Sequence, residues 1–197
     1  SERARGAVFG WHRAMDSAGA TLGPLVALIY LSAHPDDLRQ IYFWALLPGL
    51  FAVLLLLSVR ERKNPLLPQA TSVSGRQALS PRFWRYLIVW GVFSLGNSSD
   101  VFLLMQAKEN GFDLSSVVLL YCVYNGVYSA LSPSLGRASD RLGRKLLLGI
   151  GLLVFALVYF AFAMATEAWH FWGLFGVYGL YMAATDGAGK ALAIDLV

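Results

Sequence analysis

Six apolar runs, each long enough to cross a lipid bilayer as a helix, follow one another along the chain. A helix needs roughly 20 mostly apolar residues to span the hydrocarbon core of a membrane. Each run is expected to be helical, because an isolated strand would leave its backbone polar groups unsatisfied in lipid. The six runs cover residues 6–31, 41–59, 82–107, 114–135, 146–165 and 168–187. The sequence therefore predicts an all-α membrane protein with six transmembrane helices.

The composition argues against a soluble protein and against an enzyme. Hydrophobic residues make up 57% of the 197 residues and charged residues only 14%, which is too little charge to cover a soluble core. The single cysteine, Cys122, leaves no basis for a disulfide framework or a cysteine-based metal cluster. The sequence also has no Cys/His cluster and no glycine-rich phosphate loop. We therefore expect no catalytic residues, no metal, no cofactor and no nucleic-acid partner.

The basic residues are distributed unequally between the two sides of the predicted membrane domain. One side holds Arg3, Arg5, Arg60, Arg62, Lys63, Arg76, Arg82, Arg85, Arg137, Arg141, Arg144 and Lys145. The other side holds only Arg39 and Lys108. Lys and Arg accumulate in cytoplasmic connections, so residues 1–5, 60–81 and 136–145 are predicted to be cytoplasmic.

The connection GRASDRLGRK (136–145) carries more than a membrane anchor needs. An anchor accounts for its basic residues, but it does not require Asp140, Gly136 or Gly143. The pattern G-x-x-x-D-R-x-G-R-K closely resembles the signature cytoplasmic loop of the major facilitator superfamily of secondary transporters. The positions that fill the pattern are Gly136, Asp140, Arg141, Gly143, Arg144 and Lys145.

The resemblance implies a position in the transporter fold for each part of the chain. The family joins two six-helix halves by a long cytoplasmic loop, and residues 60–81 have the length and composition of that loop. Residues 1–59 are then the last two helices of the first half, and residues 82–197 the first four of the second. The chain is thus expected to be a fragment that covers helices five to ten of twelve.

The resemblance also implies a function and its partners. Members of the family move small solutes across a membrane by alternating access, in which two helix bundles rock around a central site. We expect a multi-pass protein of the bacterial inner (plasma) membrane, monomeric when complete. Its partners are the lipid bilayer, the remaining helices of the same transporter and a small-molecule substrate. No cofactor is expected, and the expected coupling ion is H⁺.

A second motif in the first span is similar to the fifth-helix pattern of antiporters of this superfamily. The matching positions are Gly10, Gly19, Gly23 and Pro24, whereas Ala27 and Leu28 replace the last two glycines of the pattern. Glycines four residues apart let two membrane helices approach closely. The motif favours proton-coupled efflux. The alternatives are a proton- or ion-coupled importer of a sugar, organic acid or other metabolite, or a channel or non-transporting membrane subunit.

Ionisable residues inside the first span are candidates for coupling or substrate contact, because charge is costly within the hydrocarbon. Asp16 lies one turn after His12 and Arg13, so either base can reach it along the helix. At about 100° per residue, His12, Asp16, Gly19 and Gly23 share one narrow face, which we expect to meet a neighbouring helix or the cavity. A structural ion pair is the competing interpretation of Asp16.

Polar residues in the later spans are further candidates. Asn97 and Asp100 break the third span and are expected to share a helix face. In the fourth span, Tyr121, Asn125 and Tyr128 form a polar-aromatic stripe, for which packing is the alternative to a cavity wall. Asp186 and Lys190 are spaced as a structural ion pair.

A specific contact is predicted for Asp140. In the family the second-half loop faces the start of the fifth helix, which is here the first span. We therefore predict that Asp140 lies near residues 3–13, with Arg5 or Arg13 as its basic partner, as the contact that closes the cytoplasmic side.

Overall fold

The computed structural model describes residues 5–35, 37–60, 80–97 and 99–196. All regular secondary structure in these residues is helical, which confirms the predicted all-α class. The seven described helices are α1 (Arg5–Ala33), α2 (Leu38–Ser58), α3 (Pro81–Gly96), α4 (Asp100–Glu109), α5 (Leu114–Leu142), α6 (Arg144–Met164) and α7 (Ala168–Leu196). Residues 1–4 and 61–79, which include Arg3 and most of the predicted central linker, lie outside the described residues.

Five helical segments in the described part of the chain are long and apolar enough to cross a membrane. They are α1, α2, the segment Pro81–Glu109 that comprises α3 and α4, α5, and α6. Helix α7, which was predicted as the sixth span, is not among them. Helix α7 carries Asp186 and Lys190, and it has more buried residues than any other described helix. A helix that faces protein needs fewer apolar side chains than one that faces lipid.

The chain forms two compact units. The first comprises Ser1–Val26 and Ser80–Val197, and the second Ala27–Leu79. In the second unit, the Tyr30 hydroxyl donates a hydrogen bond of 2.9 Å to the Asp37 carboxylate. The functional candidates all lie in the first unit. The predicted division of the chain into two transporter halves at residues 60–81 stays a prediction.

Helices α5, α6 and α7 form the core of the first unit. Leu120, Phe162, Phe171, Phe175 and Tyr178 are the largest side chains at its centre, and each is almost fully buried. The rings of Phe162 and Phe175 pack edge to face with their centroids 5.1 Å apart. Such aromatic pairs stabilise a core beyond the area that they bury.

The predicted end of the fourth span at residue 135 is wrong, because α5 continues through most of the connection 136–145. The helix ends at Leu142, and the turn is reduced to Gly143, whose φ of 101° is unfavourable for other residues. Arg, Ala and Leu are good helix formers, so the helix extends beyond its apolar run. In the same way, α7 continues to Leu196, beyond the predicted end at residue 187.

The third span is broken, as predicted, but Asn97 and Asp100 do not share a helix face. Helix α3 ends at Gly96 with Asn97 as its C-cap, and α4 begins at Asp100. The Ser99 side chain caps α4 by accepting a hydrogen bond of 3.4 Å from the Val101 N–H. Gly and Asn are weak helix formers, and the cap starts a new helix, so two helices replace the expected continuous one.

Candidate functional site

The Asp140 carboxylate binds the first turn of α1. One oxygen accepts a hydrogen bond of 3.0 Å from the Gly6 N–H, and the other accepts one of 2.9 Å from the Ala7 N–H. The first N–H groups of a helix have no partner within the helix, and the helix dipole favours negative charge there. The predicted position of Asp140 near residues 3–13 is therefore confirmed.

Three glycines allow α1 and α5 to approach each other closely enough for this contact. A Cβ atom at Gly136 would overlap the carbonyl oxygen of Gly6, and one at Gly10 would overlap the carbonyl oxygen of Ser132. Both obstacles are backbone atoms, which cannot rotate away. Gly6 was not singled out from the sequence, although the spacing of Gly6 and Gly10 is that of a small-xxx-small pair.

The other positions of the antiporter-like motif lie elsewhere on α1. Gly19 and Gly23 are exposed, and a Cβ atom at either would meet nothing within 4 Å in the described residues. Pro24 lies inside the helix. The close packing predicted for Gly19 and Gly23 is thus found between three and four turns nearer the start of α1, at Gly6 and Gly10.

Charged residues surround the Asp140 contact. Arg144 lies 3.5 Å from the Asp140 carboxylate and donates a hydrogen bond of 2.9 Å to the Ala191 carbonyl. Asp195 near the end of α7 pairs both with Arg144 and, at 2.9 Å, with Arg5. Arg144 is the basic partner that the structure gives Asp140, in place of the predicted Arg5 or Arg13. Of the remaining motif positions, Arg141 and Lys145 are exposed and Gly143 forms the turn.

A second group of charges links α1, α5 and α7. Arg13 forms the predicted ion pair with Asp16, at 3.0 Å, and also pairs with Asp186. Asp186 in turn pairs with Lys190 at 2.9 Å, as predicted, and accepts a hydrogen bond of 2.6 Å from the Tyr128 hydroxyl. We call Arg13, Asp16, Tyr128, Asp186 and Lys190 the Asp186 cluster.

Within the Asp186 cluster the two carboxylates have different surroundings. The side chain of Asp16 is 61% exposed, whereas that of Asp186 is 24% exposed and meets two cations and a phenol. Sequence reasoning favoured Asp16 and missed the link between Arg13 and Asp186. The opposite charges of these two residues in two predicted spans were a sign that they could pair. No spacing rule, however, connects residues so far apart in sequence. His12, the other predicted partner of Asp16, is exposed.

The remaining polar candidates do not form one site. Asp100 is partly buried and accepts hydrogen bonds from the hydroxyls of Tyr178, at 2.6 Å, and Tyr124, at 3.0 Å. Asn97 is exposed. Asn125 is buried, and its side-chain amide donates a hydrogen bond of 3.0 Å to the Tyr121 carbonyl one turn earlier in α5. Asn125 is thus engaged within its own helix.

The described residues have the features of a multi-pass membrane protein, namely helices long enough to span a bilayer, a glycine-lined crossing of α1 with α5 and ion pairs between helices. The chain belongs to the Major Facilitator Superfamily, whose family model matches residues 1–197. It is 30% identical over 194 residues to an uncharacterised MFS-type transporter of Methanocaldococcus jannaschii. The match covers 95% of this chain and 49% of the relative, so the chain spans about half the length of that protein. No solved structure matches the chain.

Proposed function

We propose that the chain is part of a transporter that exports a small solute in exchange for protons by alternating access. The contact of Asp140 with the Gly6 and Ala7 N–H groups is the observation that carries this proposal. It joins the motif at the end of α5 to the start of α1, which the family resemblance assigns to opposite halves of the transporter. The distribution of basic residues puts this contact on the cytoplasmic side of the proposed bacterial inner membrane.

The Asp140 contact is suited to a reversible latch. It consists of two hydrogen bonds from backbone groups to one carboxylate, supported by Arg144 at 3.5 Å. No side chain of α1 has to change its rotamer when the contact opens, because the donors are backbone groups. The latch favours the state in which the cytoplasmic side is closed, and its release accompanies the opening of that side.

The Asp186 cluster is the proposed site of proton coupling. Arg13 and Asp16 face it from α1, Tyr128 from α5 and Lys190 from α7. Protonation of Asp186 would remove the negative charge that holds Arg13 and Lys190 together. The two cations would then repel each other, which favours separation of α1 from α7. A proton taken up at Asp186 would therefore be linked to a change of state.

The direction of transport is tested with the complete protein in liposomes under an imposed pH gradient. Candidate solutes are organic cations, sugars, amino acids and organic acids, and a pH-sensitive dye reports proton movement. We expect protons and solute to move in opposite directions. Movement in the same direction would instead show import, and solute movement without protons would contradict the coupling proposal.

Two variants test the roles of the latch and the cluster in the same assay. Asp140→Asn is expected to slow transport while the thermal unfolding temperature stays near that of the native protein. Asp186→Asn is expected to abolish proton-driven transport but to leave exchange of labelled solute. The matched control is Glu167→Gln, which changes an exposed carboxylate between α6 and α7 in the same way. Native transport rates in Asp140→Asn would contradict the latch.

A further inference from the structure

Asp100 is a carboxylate inside a membrane-length segment that has no basic partner among the described residues. Asp100 lies nine residues before the end of the segment Pro81–Glu109, about 14 Å along the helix axis. Four other aspartates within the helices of the first unit do have basic partners, namely Asp16, Asp140, Asp186 and Asp195, and Glu109 at the end of α4 is exposed. An unpaired negative charge at such a position is costly, so a reason for it is expected in the function.

The surroundings of Asp100 orient its carboxylate. Tyr178 and Tyr124 are buried, with 1% and 3% of their surface exposed, and each hydroxyl donates to a different oxygen of the carboxylate. Asp100 also occupies the first turn of α4, where the helix dipole favours negative charge. The carboxylate is thus held in place as an acceptor, and Asp100 as a residue is only partly buried.

A continuous series of aromatic contacts leads from α3 to these two tyrosines. Successive ring centroids lie 6.0, 5.5, 5.0, 4.2, 6.4 and 5.6 Å apart. The rings, in order, are those of Tyr86, Trp90, Phe93, Phe155, Tyr159, Tyr178 and Tyr124, and we call them the aromatic wall. The first five are partly exposed, so they offer an apolar surface that ends beside a fixed negative charge.

We propose that Asp100 and the aromatic wall bind a hydrophobic organic cation, which is the class of substrate that the transporter exports. The cationic group lies against the Asp100 carboxylate, and the apolar body lies on the rings of α3 and α6. Aromatic faces attract cations, most strongly in desolvated sites, and this attraction adds to that of the carboxylate. The assignment of this ligand as the transported substrate rests on the proposed function.

The test is binding of tetraphenylphosphonium to the complete protein in detergent, measured by equilibrium dialysis with empty micelles as the blank. Asp100→Asn is expected to weaken binding roughly tenfold or more, because the carboxylate is the partner of the cation. Glu109→Gln, which neutralises an exposed acid at the other end of α4, is expected to bind like the native protein. Tetraphenylborate, which has a similar shape and the opposite charge, is expected not to compete.

A second pair of variants tests the aromatic wall without altering the carboxylate. Trp90→Leu removes a partly buried ring of the wall, whereas Trp84→Leu removes an exposed ring of the same helix that is outside it. We expect weaker tetraphenylphosphonium binding in Trp90→Leu only. The comparison of Trp90→Leu with Trp84→Leu tests the cation site even if Asp100→Asn fails to fold.

The outcomes separate this proposal from the one on which it rests. Native affinity in Asp100→Asn and Trp90→Leu, or equal binding of tetraphenylborate, would overturn the cation site. If Asp100 only carried protons and did not bind the cation, Asp100→Asn would also bind tetraphenylphosphonium with native affinity. Binding in detergent requires neither a gradient nor alternating access. Intact binding without proton-driven transport would therefore count against the proposed function and leave the cation site standing.

Discussion

Replacing Gly10 by alanine tests whether the close approach of α1 and α5 holds the Asp140 latch closed. The added Cβ atom would overlap the Ser132 carbonyl oxygen and lie 3.2 Å from the carbonyl carbon of Ser132 and 3.3 Å from the Gly136 Cα. All three are backbone atoms, so the two helices must separate by about 1 Å to restore ordinary contact distances. The latch hydrogen bonds, now 3.0 and 2.9 Å long, would then exceed the normal range.

The size of the effect follows from two opposing contributions. Inserting a methyl group into a tightly packed contact costs about 1–3 kcal/mol. Alanine in place of glycine stabilises a helix by about 0.5–1 kcal/mol. The remainder is a net cost of about 0–2.5 kcal/mol for the closed latch, and its midpoint near 1.3 kcal/mol corresponds to a population change of roughly tenfold.

Hydrogen–deuterium exchange of the peptide that contains the Gly6 and Ala7 amides reports the latch directly. These amides lie in the first turn of α1, where the helix supplies no partner, so Asp140 is the acceptor that protects them. Gly10→Ala is expected to speed their exchange by roughly tenfold. Gly19→Ala is the matched control, because its Cβ atom meets nothing within 4 Å. Equal exchange in the two variants would refute the reasoning.

Three further predictions concern single contacts. Gly143→Ala should lower the free energy of unfolding by about 1–3 kcal/mol, because φ is 101° at Gly143. Gly149→Ala is the control and should not lower it. Equal free energies of unfolding in the two variants would contradict the strain argument. Tyr128→Phe removes the 2.6 Å hydrogen bond to Asp186 and should shift the pH dependence of transport, whereas an unchanged pH profile would show that the phenol has no part in coupling. Hydrogen bonding to the Ser116 side chain lowers the pKa of the Asp113 carboxyl below its ordinary 3.8. The ionised Asp113 therefore stabilises the fold above about pH 4, and this stabilisation is lost as the pH falls through the lowered pKa. Thermal unfolding of Asp113→Asn should lack that acid-dependent loss, and an acid dependence identical to that of the native protein would refute it.

The helical segments could be predicted from the sequence because apolar length is a local property. The ends of the helices could not, because hydropathy marks where the apolar run stops and not where backbone hydrogen bonding stops. Helix α5 continues to Leu142 and α7 to Leu196, through polar residues that still form helix. The break between α3 and α4 was visible because Gly96 and Asn97 are poor helix formers and Ser99 is a good N-cap.

The contact of Asp140 with the start of α1 could also be predicted, because the motif is a local sequence pattern. The family resemblance then indicates which helix faces the motif. The Asp186 cluster could not be predicted in full. Arg13 and Asp186 are brought together by the packing of helices that are distant in sequence, and no spacing pattern connects them. For the same reason, the hydrogen bonds that Tyr124 and Tyr178 donate to Asp100 were not predicted, although both tyrosines are visible in the apolar runs.

The burial of α7 has a consequence for the biosynthesis of the protein. A nascent segment partitions into the bilayer according to its own hydrophobicity, and α7 carries Asp186, Lys190 and Asp195 among its apolar residues. Its buried rings, such as Phe175 and Tyr178, find their partners on α5 and α6, which are synthesised immediately before it. We therefore expect the helices that precede α7 to assist its insertion. A substitution such as Tyr124→Ala on α5 would lower the yield of correctly inserted protein before any transport takes place.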